Sequence, residues 1–265
     1  MPSPDALKSR LIGVVHLPPT PGAPGAESGA MERLVESAVR DASAYVAGGI
    51  TSLVVENFHD APFFKEDVPP SSLAAMTVAA ARVKGVEGVL SLGINVLRND
   101  ALAALGIAAA TGADFIRVNV HTGSMYTDQG LIEGRAAATM RERARLCPGV
   151  RVLADVHVKH AAPVAGEQLE DASRDAALRG RADGLIVSGA ATGAPPDPSR
   201  VERVRSAVGG AVPILIGSGF GVENARALLG HADAAIVGTA AKVDGDVLAP
   251  VDVDRVRALV QAARG

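Results

Sequence analysis

Eight short apolar runs recur along the chain: Leu11–Val15, Leu53–Val55, Val89–Leu92, Phe115–Val118, Val152–Val156, Leu185–Val187, Ile214–Ile216 and Ala235–Val237. Continuous branched-aliphatic runs of this kind suit parallel strands buried on both faces. Between them lie Ala- and Arg-rich stretches with helical spacing, such as Met31–Ala47 and Ala101–Ala110. The alternation predicts a parallel sheet joined by right-handed helical crossovers. A weak internal repeat supports one repeated unit. Gly112-Ala-Asp-Phe-Ile, Arg181-Ala-Asp-Gly-Leu-Ile and His231-Ala-Asp-Ala-Ala-Ile each place Ala-Asp just before a strand. Asp114, Asp183 and Asp233 are therefore expected to do turn and capping work at the barrel bottom.

Loop lengths break the symmetry. Connections entering strands are short, as at Gly48-Gly49 and Pro148-Gly149. Those leaving strands are long and rich in Pro and Gly: Leu17–Gly29, Phe58–Pro70, Thr122–Gly134 and Gly189–Pro198. Long structured loops in a compact domain are usually functional, and in a barrel the loops after the strands build the site. A doubly wound open sheet is the competing architecture, but no Gly-x-Gly-x-x-Gly follows the first strand. The expectation is an α/β protein, a single (β/α)8 TIM barrel over residues 1–265.

Composition agrees with that fold. The 265 residues are close to the roughly 250 typical of such a barrel. Hydrophobic residues make up 48% and aromatics 3%, so Val, Ile, Leu and Ala must fill the core. A net charge of −3 lacks the basic footprint of a nucleic-acid binder, and the absence of Trp removes one kind of base-stacking platform. The lone Cys147 excludes an internal disulfide and a multi-cysteine metal site, and reads as a bystander beside Pro148. Met1–Arg10 has no apolar stretch of the signal-peptide kind, and no apolar run nears the roughly 18 residues of a membrane span. A cytoplasmic protein is expected.

Following each run past its apolar part reaches polar residues. The first strand ends at His16, the second at Glu56 and Asn57, the third at Asn95, and the fourth at Asn119 and His121. The fifth carries Asp155, His157, Lys159 and His160; the sixth ends at Ser188. With period-two alternation, Leu153, Asp155, His157 and Lys159 share one face, while Val152, Ala154, Val156 and Val158 share the other. If the apolar set packs on helices, the Asp-x-His-x-Lys ladder points into or over the mouth. On the fourth strand Arg117, Asn119 and His121 alternate in the same way. A carboxylate beside a histidine and an ammonium tunes a general acid/base, or else forms a structural ion-pair network. Lys159 is a candidate for a Schiff base or for anchoring a phosphate or carboxylate. His16, His121, Asp155 and His157 are the candidates for a divalent metal, although no local ligand motif is present. Asn57, Asn95, Arg117 and Ser188 are candidate substrate contacts, and His59 a loop residue or substrate contact.

The seventh and eighth strands supply a phosphate argument. Gly217-Ser218-Gly219, with a helix expected from Val222, and Gly238-Thr239 offer unhindered backbone N–H groups. Phosphate sites in barrels recur at these two loops. Gly193, after the sixth strand, is a lateral candidate. Phe58, Phe63 and Phe64, three of the five phenylalanines, sit on the second long loop as a lid or a subunit interface.

Several segments carry a family resemblance. They are Leu11-Ile-Gly-Val-Val-His-Leu-Pro-Pro, Val55-Glu-Asn-Phe-His-Asp-Ala-Pro-Phe, Phe115-Ile-Arg-Val-Asn-Val-His-Thr-Gly, Leu153-Ala-Asp-Val-His-Val-Lys-His-Ala and Ile214-Leu-Ile-Gly-Ser-Gly. The chain resembles the BtpA family, also called BtpA/SgcQ, from the first strand to Pro250–Asp254. The resemblance implies a TIM barrel near the ribulose-phosphate-binding group. It also implies kinship with a cyanobacterial factor for accumulating photosystem I, and with members found beside sugar-metabolism genes. Two functions follow as expectations. One is an enzyme acting on a phosphorylated sugar or nucleotide-like molecule by acid/base chemistry, as isomerase, lyase or glycosidic-bond cleaver. The other is a non-catalytic assembly or stability factor for a complex such as photosystem I. Self-association is expected, as is common for such barrels.

Overall fold

The computed structural model describes residues 10–164, 166–189 and 195–264. The chain begins with β1 (Leu11–His16), α1 (Ala30–Gly48), β2 (Ser52–Glu56), α2 (Pro70–Lys84), β3 (Ser91–Asn95) and α3 (Ala101–Thr111). β4 (Phe115–Val118) is followed by a hairpin, β5 (Ser124–Thr127) and β6 (Gly130–Glu133), before α4 (Ala136–Leu146). β7 (Arg151–Val156) leads into β8 (Ala161–Pro163) and α5 (Leu169–Arg174). The last elements are β9 (Gly184–Val187), α6 (Pro198–Val208), β10 (Ile214–Ile216), α7 (Ala225–Leu229), β11 (Ala234–Val237) and α8 (Val253–Arg264). β1, β2, β3, β4, β7, β9, β10 and β11 close in that order into a barrel of parallel strands. The open-sheet alternative is excluded.

The period-two alternation of these strands divides the apolar residues between two compartments. Ile12, Val14, Val54, Phe115, Leu153, Ile186, Leu215 and Ile236 fill the barrel interior. The opposite strand faces pack on the helices, where an amphipathic helix offers an apolar stripe. On α1 that stripe is Leu34, Ala38, Ala42 and Tyr45, all buried. The third strand starts later than its apolar run suggested. Leu90 is exposed, whereas Ser91, Gly93 and Asn95 are enclosed. Gly93 is required here, because a Cβ would collide with the Phe115 ring that fills the adjacent interior space.

The repeated Ala-Asp residues share one construction. Asp114 accepts from Leu92 N and Lys84 Nζ, each at 2.8 Å. Asp183 accepts from Val152 N at 2.8 Å and Arg143 Nη1 at 2.6 Å. Asp233 accepts from Ile214 N at 2.8 Å and Arg205 Nη2 at 3.0 Å. Each aspartate, just before one strand, caps the entry of the preceding strand and binds a cation from the helix before that. The aspartates thus work at the barrel bottom.

At the opposite end, β5 pairs with β6 and β8 in a small antiparallel sheet. Its apolar face, Met125 and Ile132, packs with Val120 and Val158. Its β5–β6 hairpin lies within Thr122–Gly134, which the sequence showed only as a long loop.

Candidate functional site

Two residues beyond the interior apolar layer, each stave reaches the mouth. There, β1, β2, β3, β4, β7 and β9 present His16, Glu56, Asn95, Arg117, Asp155 and the adjoining Ser188. All six are buried. Register sets His16 opposite Glu56, Glu56 opposite Asn95, and Asn95 opposite Arg117. At the corresponding positions after β10 and β11 the chain has Gly217 and Gly238. A Cβ on Gly217 would strike Ser188 Oγ and Ile186, and one on Gly238 would crowd the His16 ring. Two neighbouring staves without side chains leave room on that side. A cavity of about 490 Å³ occupies it.

The cavity is lined by His16, Glu56, Phe58, Arg117 and Lys159 on one side, and by Gly217–Glu223 and Gly238–Ala240 on the other. Arg255, near the start of α8, completes the rim. Its Nε donates to Ala240 O at 3.1 Å. The helix expected from Val222 begins instead at Ala225 and is five residues long, so the glycine-rich turn is not a helix N-terminus. Asn224 closes that turn, accepting from Gly221 N and donating to Gly219 O. The amides of Gly219, Phe220, Gly238, Thr239 and Ala240 have no acceptor among the described residues. Ser218 Oγ accepts from Gly189 N at 3.1 Å, tying this wall to the end of β9.

Burial decides the state of the groups on the other side. His16 is held well below the ordinary imidazole range by burial, reinforced by the nearby basic groups, Lys242 first. It is therefore neutral at pH 7. Its ring lies 4.5 Å from that of Phe58, and Nε2 is 3.9 Å from Glu56 Oε1. Asn95 Nδ2 donates to Glu56 Oε2 in a short hydrogen bond. Burial also lowers the Lys159 pKa, helped by Arg117 and opposed by Glu56 and Asp155.

Asp155 is different. Arg117 binds it through Nε at 2.8 Å and Nη2 at 3.0 Å, and Asn119 and Ser188 add contacts at 3.4 and 3.3 Å. Its side chain is fully enclosed, and it does not line the cavity. Burial opposes the charge on Arg117, but Asp155 outweighs it and holds the guanidinium protonated more firmly than usual. Arg117, Asn119 and Ser188 thus surround Asp155 in one hydrogen-bonded cluster.

Three expected site residues lie elsewhere. The strand alternation stops at Val156, because His157 adopts a left-handed φ of 50°. His157 Nε2 therefore meets Glu167 Oε2 at 3.2 Å rather than following Asp155. His121 Nε2 meets Gly180 O at 2.9 Å, against the segment that follows α5. Asn57 is fully used in bracing its loop, accepting from Leu97 N and donating to Leu97 O and Asp60. His16, His121, Asp155 and His157 consequently do not form one metal site, and no group of three potential ligands converges among the described residues. Gly193 lies outside the described residues.

Lys159 still reaches the cavity, between His157 and His160, whose φ values are 50° and 57°. Arg98 Nη2 donates to Lys159 O at 2.9 Å and fixes that loop. Sequence reading missed Arg98 and Arg255. Arg98 carries no motif signal, whereas Arg255 directly follows Pro250–Asp254 and was detectable only by its place opening the last helix. His59 Nδ1 bonds Leu17 O at 2.9 Å, joining the first two loops.

Fold and site together define a closed (β/α)8 barrel with an enclosed polar layer and a cavity at the C-terminal ends of its strands. The BtpA family model matches residues 7–265, and the chain belongs to that family. The photosystem I biogenesis protein BtpA of Synechocystis is 45% identical over 252 residues, covering 95% of this chain and 87% of that protein. A Pyrococcus furiosus protein is 45% identical over 260 residues, covering 97% and 95%. Among solved structures, thiamine phosphate pyrophosphorylase from P. furiosus superposes with a TM-score of 0.59 at 15% identity, covering 98% and 96%. N-(5′-phosphoribosyl)anthranilate isomerase from the same organism gives 0.56 at 14%, covering 96% and 98%. These two likenesses establish the shared fold.

Proposed function

We propose that the chain is an enzyme acting on a phosphorylated sugar or nucleotide-like small molecule by general acid/base chemistry. The supporting observation is the two-sided cavity. One wall offers backbone amides without acceptors and the Arg255 guanidinium, and the other offers Glu56, neutral His16 and Lys159. Amide groups and a guanidinium suit a phosphate, because charge-assisted hydrogen bonds to its oxygens are the strong ones. Glu56 and His16 face the remaining volume and are the groups to move protons. The solved-structure likenesses include proteins named for phosphorylated compounds, in agreement with this reading.

The test is a turnover screen of sugar phosphates and nucleotides followed by phosphorus NMR, with inorganic phosphate binding measured in parallel. Glu56→Gln should lower kcat by about 10²–10⁴-fold, the usual contribution of a general acid/base. Absence of phosphate binding together with absence of turnover would remove the proposal. The assembly-factor reading then takes its place, since the Synechocystis relative is named for photosystem I biogenesis.

A further inference from the structure

The chain has five lysines. Four fall among the described residues, and three of those have acceptors. Lys65 pairs with Glu66 at 3.7 Å, Lys84 with Asp114 at 2.8 Å, and Lys242 donates to Ala249 O at 2.9 Å beside Asp41. Lys159 Nζ has neither a hydrogen bond nor an ion pair among the described residues. It is nevertheless drawn into a cavity, where burial outweighs a mixed set of neighbouring charges: the Arg117 and Arg98 guanidinium groups, and the Glu56 and Asp155 carboxylates that oppose them. A lysine that only neutralised Glu56 would approach it closely, and no such contact is present within 4.0 Å. Burial, the largest influence, moves the amine toward its neutral form. A desolvated amine beside other cations is the arrangement that activates lysine as a nucleophile.

We infer that Lys159 forms an imine with the carbonyl carbon of an open-chain phosphorylated aldehyde or ketone whose phosphate lies against the Gly219 and Gly238 turns. This deepens the proposed function and rests on its phosphate site. The Nζ lone pair adds to the carbonyl carbon while the C=O π pair moves to oxygen. The proton lost from nitrogen passes through the Glu56 carboxylate to that oxygen. Further proton transfer lets the oxygen leave as one water, giving the C=N bond. No oxidant or reductant is consumed. The amide wall holds the phosphate, and His16, neutral and facing the same volume, is available for a later proton transfer at the adjacent carbon.

The experiment uses the full chain, pyridoxal 5′-phosphate as a phosphorylated aldehyde probe, and borohydride to reduce any imine. Peptide mass mapping then locates the probe mass less one water plus two hydrogens. The expected result is an adduct at Lys159 ahead of Lys65 and Lys84, retained at neutral pH and suppressed by inorganic phosphate. Lys159→Arg and Lys159→Met should both lose it while still binding inorganic phosphate. The arginine variant keeps the positive charge and so separates loss of the amine from loss of folding. Phosphate binding without preferential labelling of Lys159 overturns the imine and leaves the phosphate reading standing. Labelling of Lys159 that saturating phosphate does not suppress supports the imine and overturns the phosphate site. Failure of both measurements overturns both.

Discussion

Arg117 grips Asp155 through two nitrogens and leaves that carboxylate no face on the cavity. Removing one member of a buried, hydrogen-bonded pair strands the other charge, at a cost of about 3–5 kcal/mol. Asp155→Asn should therefore lower the urea midpoint by an equivalent amount. Glu56→Gln, isosteric and 3.9 Å from Arg117 where Asp155 is at 2.8 Å, should cost less stability than Asp155→Asn while lowering kcat by about 10²–10⁴-fold. Equal stability losses in the two variants would count against the different roles assigned to these carboxylates. At the rim, Arg255 and Glu223 are exposed and of opposite sign. Arg255→Ala should weaken inorganic phosphate binding. Glu223→Gln should strengthen it by about 0.2–1 kcal/mol, the range of solvent-screened pairs. Titration calorimetry reads both, and equal directions would exclude the anion wall.

The strand elements were the most legible part of the sequence, because parallel strands covered on both faces need long-lived apolar runs. The third was misplaced because its inward positions are Ser91, Gly93 and Asn95, whose enclosure depends on Phe115 from the next stave. The small β5–β6–β8 sheet was missed for a related reason. Its apolar face needs Val120 and Val158, which come from two different barrel connections. The same docking of Val158 accompanies the left-handed turn at His157, so simple alternation could not place His157 and Lys159 together. The Ala-Asp repeat, by contrast, was visible locally because each aspartate caps a strand entry. Asp114→Ala, Asp183→Ala and Asp233→Ala should each lose about 1–2 kcal/mol, as expected for partly exposed charge-assisted hydrogen bonds to backbone. The three effects should add, since the sites share no partner. Denaturant melts of the single and triple variants measure this, with phosphate binding unchanged.

Across the whole molecule, the polar mouth imposes a condition on the fold that its apolar pattern conceals. The architecture was readable from eight runs, and the mouth from the polar residues that end them. Which of those residues share a cavity was not readable, because Gly217 and Gly238 open one side only and Arg117 seals Asp155 on the other. One consequence belongs to the full chain. Burial lowers the pKa of His16, His121 and His157, assisted at His16 by Lys242 and opposed at His121 and His157 by their partners Gly180 and Glu167. Above pH about 6.5, the ordinary imidazole value, folded and unfolded chains both carry these rings mainly neutral, and stability changes little with pH. Below it the unfolded chain binds protons that the folded chain resists. Unfolding then takes up protons, so stability falls as pH decreases, by at most about 1.4 kcal/mol per pH unit for each such ring. Urea midpoints should therefore drop between pH 7.5 and about 5, above the range in which ordinary carboxylates titrate. His121→Asn removes one ring remote from the cavity and should make that slope shallower, whatever it does to stability at pH 7.5. A flat midpoint over this interval in the wild-type chain would show that the three imidazoles are not held neutral by burial.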